Sequence, residues 1–228
     1  MGIEANLAAV RTRIQRACEV SGRDPGEVRL LAVSKTMPAS DIRAAYEAGQ
    51  RDFGESRVQE LDAKADQLAD LADLSWSMIG HVQTNKIGDV ARVADEVQSL
   101  DSIRLAHALD HRLSAVGRSL RVLVQVNTSG ESSKSGLAVD EVVPFVRELA
   151  SLPLLQPVGL MTIAMLSDDS EAVSGCFETL AALRREVEDV SGHAWPELSM
   201  GMSGDLEHAI AAGSTCVRVG TAIFGVRS

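Results

Sequence analysis

Lys35 directly follows the run Leu30-Leu31-Ala32-Val33-Ser34. A short apolar run of this kind reads as a buried parallel strand, so a charged amine stands where the strand runs out. Such a lysine is either a functional amine or a residue whose stem packs while its ammonium reaches water, and on position alone the two readings stand even. The chemistry open to the first is attack on an aldehyde, because a desolvated lysine is partly deprotonated and only the neutral amine is a nucleophile. At the other end of the chain, Ser199-Met200-Gly201-Met202-Ser203-Gly204-Asp205 reads as a strand, a Ser/Gly turn and a helix start. A hydroxyl, a yielding backbone and the positive end of a helix dipole make a phosphate site, although Ser203 taken alone reads better as a plain helix cap. The neighbouring run Val217-Arg218-Val219-Gly220-Thr221 also ends in glycine and a hydroxyl. In barrels, the loops after strands seven and eight are the usual phosphate site.

Arg218 alternates with Val217 and Val219, so one orientation of the strand puts a guanidinium into the barrel mouth. There it either pairs with a carboxylate or meets a ligand. Against a ring nitrogen, its permanent charge would keep that nitrogen unprotonated and weaken the ring as an electron sink, disfavouring carbanion chemistry. Other polar residues are less specific. Glu55 and Ser56 follow the second strand and could order the lysine, with turn formation the stronger reading; His81 is a rim candidate; Asn85 and Lys86 cap and terminate. His107 and His111 have the spacing of a helical ligand pair but no HExxH context, and Trp76 and Trp195 read as packing residues. No metal cluster and no Ser/His/Asp arrangement emerges.

Positioning these residues calls for parallel βα units, and the chain alternates β-branched apolar runs with segments of helical period. Expected strands are 29–34, 52–54, 76–79, 97–100, 121–126, 157–161, 197–201 and 217–219, and eight is the barrel count. Between them lie expected helices at 40–48, 58–71, 85–94, 103–115, 140–150, 170–190 and 205–212, with Ser40, Asp140 and Ser170 as candidate caps and Gly49 and Gly213 as stops. An extra N-terminal helix, 6–21, would close the barrel floor. The polar loop Asn127 to Gly136 belongs at the functional rim, where Lys134 could offer a second amine. An open doubly wound sheet would want a Gly-rich turn after the first strand, where this chain has Lys35-Thr36-Met37-Pro38.

The fold expected is therefore α/β, one (β/α)8 TIM barrel over residues 1–228, a single domain. With 22 basic and 32 acidic residues the net charge of −10 repels nucleic acid and anionic membranes, so an anionic ligand needs a locally positive or amide-lined pocket. Cys18, Cys176 and Cys216 are odd in number and widely spaced, which reads as reduced thiols rather than a disulfide framework or zinc site. Glu4, Arg11, Arg13 and Arg16 interrupt any signal-peptide core, and no run reaches membrane-spanning length, leaving the cytoplasm as the expected compartment.

Taken together, Ala32-Val33-Ser34-Lys35-Thr36, Phe53-Gly54-Glu55, Val58-Gln59-Glu60, Ile79-Gly80-His81, Gln83-Thr84-Asn85-Lys86, Lys134-Ser135-Gly136, Gly159-Leu160-Met161, Leu198 to Ser203 and Val217 to Gly225 resemble the pyridoxal phosphate homeostasis protein family (YggS/PROSC, PLP-binding protein). The resemblance spans nearly the whole chain in order. It implies a fold type III barrel similar to the N-terminal domain of alanine racemase, monomeric or weakly associating. It also implies pyridoxal 5'-phosphate carried as a reversible Schiff base on Lys35, its phosphate near Ser203, Gly220 and Thr221, and Arg218 beside the ring nitrogen. Family members are regarded as handling intracellular pyridoxal phosphate and vitamin B6 balance without an established catalytic reaction. Two departures stand out: Ser56 where the family usually has Asn, and Ser77 where it usually has His.

Three functions follow from these residues. A cofactor carrier would release or transfer intact pyridoxal phosphate to PLP-dependent apoenzymes. An amino-acid racemase would need acid/base groups on both faces of the substrate carbon. In alanine racemase one of these is a tyrosine supplied by the second domain of a partner subunit, and here the single tyrosine, Tyr46, falls within an expected helix. A non-covalent binder of phosphorylated metabolites would leave Lys35 idle.

Overall fold

The computed structural model describes residues 2–131 and 134–225. Eight parallel strands, β1 (Arg29–Val33), β2 (Asp52–Glu55), β3 (Ser75–Met78), β4 (Glu96–Leu100), β5 (Leu120–Gln125), β6 (Leu155–Met161), β7 (Glu197–Ser199) and β8 (Cys216–Val219), close into a barrel in sequence order. Closure is made by β8 on β1, from Arg29 opposite Cys216 to Ala32 opposite Val219. All eight expected strands are present. β7 stops at Ser199 rather than Gly201, because Gly201 turns left-handed (φ 95°) and lifts the chain out of the ladder.

The strands alternate with α2 (Ala39–Glu47), α3 (Val58–Gln67), α4 (Ile87–Val93), α5 (Ile103–Val116), α6 (Val142–Leu149), α7 (Ser170–Ser191) and α8 (Leu206–Ala211). The helices expected at 85–94 and 140–150 both begin as single 3-10 turns. Asp169, one residue before the expected cap Ser170, accepts the Glu171 and Ala172 amides and opens α7. Gly49 and Gly213 stop their helices in left-handed conformations, as expected.

The N-terminal helix α1 (Ile3–Val20) is placed differently from its expected role. It packs against α8, α2 and the short terminal helix α9 (Thr221–Phe224) rather than across the barrel floor. Near its start Asn6 donates to the Ile223 carbonyl, and beyond its end Arg23 donates to the Ile210 and Ser214 carbonyls, so α1 runs down the outside of the barrel. Since α9 has only four residues, α1 stands in for the missing eighth ring helix and buries Leu7, Val10 and Ile14 there.

The floor is instead filled by charge. Arg29, at the start of β1, reaches Asp52 at 3.2 Å, Glu96 at 3.0 Å and Glu197 at 2.7 Å, and Arg121 pairs with Glu96 and Glu197. Apolar residues between strands and helices form the surrounding core, with Trp195, Phe53 and Phe177 fully buried. Cys18, Cys176 and Cys216 are buried free thiols. Among the described residues no helix is long and apolar enough to cross a membrane.

Candidate functional site

Lys35 leaves the end of β1 in a tight turn. The Met37 N–H donates to the Ser34 carbonyl at 3.0 Å, which puts Lys35 and Thr36 at the turn's centre. Thr36 has φ 67°, the only positive φ outside glycine among the described residues. A β-branched residue held there costs on the order of 1–3 kcal/mol, so the surrounding structure must impose it. The Thr36 N–H donates to Glu60 Oε2 at 2.6 Å, and Lys64 Nζ donates to the Ser34 carbonyl at 2.9 Å and to Glu55 Oε1 at 2.8 Å. Glu55 also accepts from Ser34 Oγ at 2.6 Å. Burial pushes the Glu55 carboxyl up from the ordinary carboxylate range, against the pull of Lys64 and Ser34. Glu60 lies below that range: its own burial works upward, but the Thr36 N–H, Lys64 and Arg57 outweigh it.

The Lys35 turn opens into a cavity of about 290 Å³ at the C-terminal mouth of the barrel, which Ser203, Gly204, Arg218, Gly220 and Thr221 also line. Sequence-distant segments meet there because β8 closes on β1. A Cβ added to Gly220 would stand 3.0 Å from the Val33 carbonyl oxygen, so the turn after β8 lies directly against the end of the strand that leads into Lys35. The turn after β7 is set by Gly201, where a side chain would strike Ala209 at 2.5 Å, and by Arg13 of α1, which donates to the Ser203 carbonyl at 3.1 Å. All five expected site residues thus surround one cavity, together with Ser56.

Arg218 points into the barrel mouth but has no carboxylate where its donors go. Nη1 donates to Ser199 Oγ and Nη2 to the Thr162 carbonyl, each at 2.7 Å. Ser199 Oγ in turn donates to Gln98 Oε1 at 2.7 Å, and Gln98 Nε2 donates to Glu96 Oε1 at 2.6 Å. The order of donors is forced from below. A carboxylate only accepts, so Gln98 must present its amide nitrogen to Glu96 and its oxygen to Ser199, which leaves a Ser199 lone pair for the guanidinium. Burial lowers the Arg218 pKa, yet a guanidinium stays charged.

The remaining candidates lie elsewhere. His81, Gln83, Thr84 and Asn85 line a separate rim cleft with Arg104. Lys86 pairs with Asp89 at 3.7 Å. Lys134 donates to the Ala164 carbonyl at 3.0 Å and pairs with Glu131 at 3.1 Å, while Ser132 and Ser133 of its loop fall outside the described residues. Tyr46 donates its hydroxyl to Asp73 on the barrel's exterior. His107 lies 3.9 Å from Glu148, and no group of metal-ligating residues occurs among the described residues. Trp76 and Trp195 are buried packing residues. Gln98, Ser199, Thr162 and Lys64 support the site without forming a motif in the sequence. The one signal available for Ser199 is its alternation with Leu198 along β7, and Lys64, four residues after Glu60 on a helix, has the spacing of an ordinary surface pair.

Comparison with known proteins agrees with this geometry. The family described as alanine racemase, N-terminal domain, matches residues 5–228. The pyridoxal phosphate homeostasis protein of Pseudomonas aeruginosa is 44% identical over 225 residues, covering 99% of this chain and 96% of that protein. An unknown protein from Bifidobacterium adolescentis has a similar solved structure, with TM-score 0.92 and 41% identity over 97% of this chain and 94% of that one. PipY of Synechococcus elongatus PCC7942, solved with PLP bound, matches with TM-score 0.88 and 37% identity over 98% of this chain and 100% of that one. This chain belongs to the alanine racemase N-terminal domain family and, within it, to the pyridoxal phosphate homeostasis proteins.

Proposed function

We propose that this protein binds pyridoxal 5'-phosphate and serves intracellular pyridoxal phosphate (vitamin B6) homeostasis as a carrier rather than as an enzyme. Residues 1–228 act as one cofactor-binding domain, monomeric and cytoplasmic, that passes intact cofactor to PLP-dependent apoenzymes. The observation that carries this reading is the single cavity in which an amine, two hydroxyls, glycine backbone and a guanidinium converge. The names of the relatives and the PLP-bound PipY structure support the choice of ligand.

The cavity fits that ligand on its own terms. A Cβ on Gly204 would meet nothing within 4 Å, so backbone and the Ser203 and Thr221 hydroxyls are open to an anion despite the chain's negative charge. Lys35 holds the ligand covalently. Pyridoxal 5'-phosphate, when bound, supplies an aldehyde that condenses with the lysine amine with loss of one water and takes up that water on release. Arg218 stands where it can face the ring, and its fixed positive charge keeps a ring nitrogen beside it unprotonated, which suits storage better than carbanion chemistry.

The racemase alternative needs a second acid/base group. Among the described residues Lys35 and Arg218 are the only titratable side chains lining the cavity, and Tyr46 is committed to Asp73 outside it. Amino-acid racemisation by the purified protein above a cofactor-only control would overturn the carrier reading. The central test is the visible spectrum with added pyridoxal phosphate before and after borohydride, beside Lys35→Ala. A band that borohydride converts to a mass adduct on Lys35, absent from the variant, is the expected result. Equal binding by both proteins would favour a non-covalent phosphate barrel.

A further inference from the structure

Both peptide groups flanking Lys35 are tied to a single helix. On its N-terminal side the Ser34 carbonyl accepts from Lys64 Nζ at 2.9 Å, and on its C-terminal side the Thr36 N–H donates to Glu60 Oε2 at 2.6 Å. Lys64 closes the ring by reaching Glu60 Oε2 at 3.2 Å, and its third bond goes to Glu55 Oε1 at 2.8 Å. All three ammonium protons are therefore used.

This cluster is an uneconomical way to stabilise a fold. The Lys64 side chain is only 8% exposed and that of Glu55 0%, and Glu55 Oε2 is buried with no partner among the described residues. Desolvating such ions offsets most of their attraction, and apolar residues of similar size would hold α3 to the barrel as well. What apolar residues could not do is hold a Ser34 carbonyl and a Thr36 N–H at the same time. Those are the contacts that a left-handed threonine needs, since its own preference is to leave that conformation.

We infer that Glu60 and Lys64 are positioning residues: they clamp the turn at Thr36 in its left-handed form and thereby fix where the Lys35 amine stands for an aldehyde-bearing ligand. The inference rests on the reading of Lys35 given above. Neither residue touches the ligand cavity; both act through the backbone on either side of Lys35.

Glycine at position 36 separates this role from a merely structural one, because glycine adopts positive φ without a clamp. The experiment compares wild type, Glu60→Ala, Thr36→Gly and the double variant, each full-length. Two quantities are read: the dissociation constant for pyridoxal phosphate, with borohydride-trapped adduct on Lys35, and hydrogen exchange at residue 36 in cofactor-free protein. Glu60→Ala is expected to weaken retention about tenfold, or 1.4 kcal/mol, and to speed exchange at residue 36. The double variant is expected to recover most of the retention while exchange stays fast, because the amide still lacks its acceptor. Lys64→Gln, which removes the ammonium that ties Ser34 and also holds Glu60 in place, should weaken retention as well; if it fails to fold, the Glu60 comparison decides alone.

Retention unchanged in Glu60→Ala would overturn the clamp, and so would a loss that glycine at position 36 does not restore. A wild type that forms no adduct on Lys35 would instead remove the carrier reading, while the exchange measurement would still report whether Glu60 holds the turn.

Discussion

Gly220 and Val33 meet so closely that a Cβ on the glycine would stand 3.0 Å from the valine carbonyl oxygen. They lie one step beyond the last paired positions of β8 and β1, Val219 and Ala32. The contact brings the turn bearing Thr221 up to the strand that leads into Lys35. Gly220→Ala should push these strand ends apart by a few tenths of an ångström, at a cost of about 1 kcal/mol from overpacking. Pyridoxal phosphate should bind about tenfold more weakly while the barrel stays folded. Titration by absorbance with circular dichroism as a control tests this, and unchanged affinity would mean that the phosphate is held elsewhere.

Ser199→Ala removes the link between Arg218 and Gln98. It leaves a guanidinium nitrogen and the Gln98 oxygen short of a partner inside the barrel. One buried group left unsatisfied costs roughly 1–3 kcal/mol. For a chain of this size that corresponds to a melting temperature lower by several degrees, at about 2–4 °C per kcal/mol. Calorimetry measures the drop, and the absorbance maximum of the ligand-loaded protein should shift as Arg218 loses its fixed orientation. An unshifted spectrum would separate Arg218 from the ring.

The floor and the mouth should be separable by mutation. Arg29→Met would leave Glu96 and Glu197, both mostly buried, without their central cation. Breaking a buried ion network in this way costs about 3–5 kcal/mol. A lower urea midpoint is expected, with pyridoxal phosphate affinity of the folded protein changed far less than by Gly220→Ala. Loss of binding at unchanged stability would contradict that separation.

Acid should loosen the Lys35 turn through Glu60. Its folded carboxyl titrates below the ordinary glutamate value of about 4.3. Its contribution to stability is therefore complete above that value and is lost as the pH falls through the folded one. In Glu60→Gln this part of the acid limb should be missing, so urea midpoints of wild type and variant should converge as the pH drops below about 4. Parallel curves would show that Glu60 is not held by Thr36 and Lys64 in solution. Glu55, whose burial raises its carboxyl, works in the opposite sense above the ordinary value and is common to both proteins.

The barrel was legible from local pattern. Short apolar runs such as Leu30 to Val33 and Val122 to Val126 read as strands of a parallel sheet covered on both faces, and their alternation with helical segments leaves little besides a (β/α)8 closure. Closure then makes the first and last strands neighbours, so the sequence alone sets Lys35 beside the segments that carry Ser203, Arg218, Gly220 and Thr221. Residue type also fixed what the amine, hydroxyls and guanidinium could do.

Three things depended on the tertiary structure. The path of α1 was not readable, because its apolar stripe states that one face is buried and not against what; the shortness of α9 left the eighth ring position open to it. The partners of Arg218 were not readable either, since Ser199 lies on β7 while Gln98 and Glu96 lie on β4, and these two strands meet only across the barrel interior. Nor was the clamp on Lys35: Glu60 and Lys64 have the spacing of an ordinary helix-surface pair, and only the packing of α3 against β2 and β3 takes them out of water and turns them toward Ser34 and Thr36. Local sequence sets conformation and chemical type through short-range sterics and burial preference. Which polar groups then complete one another is decided by long-range closure, because a buried donor must find its acceptor wherever the fold brings one within reach.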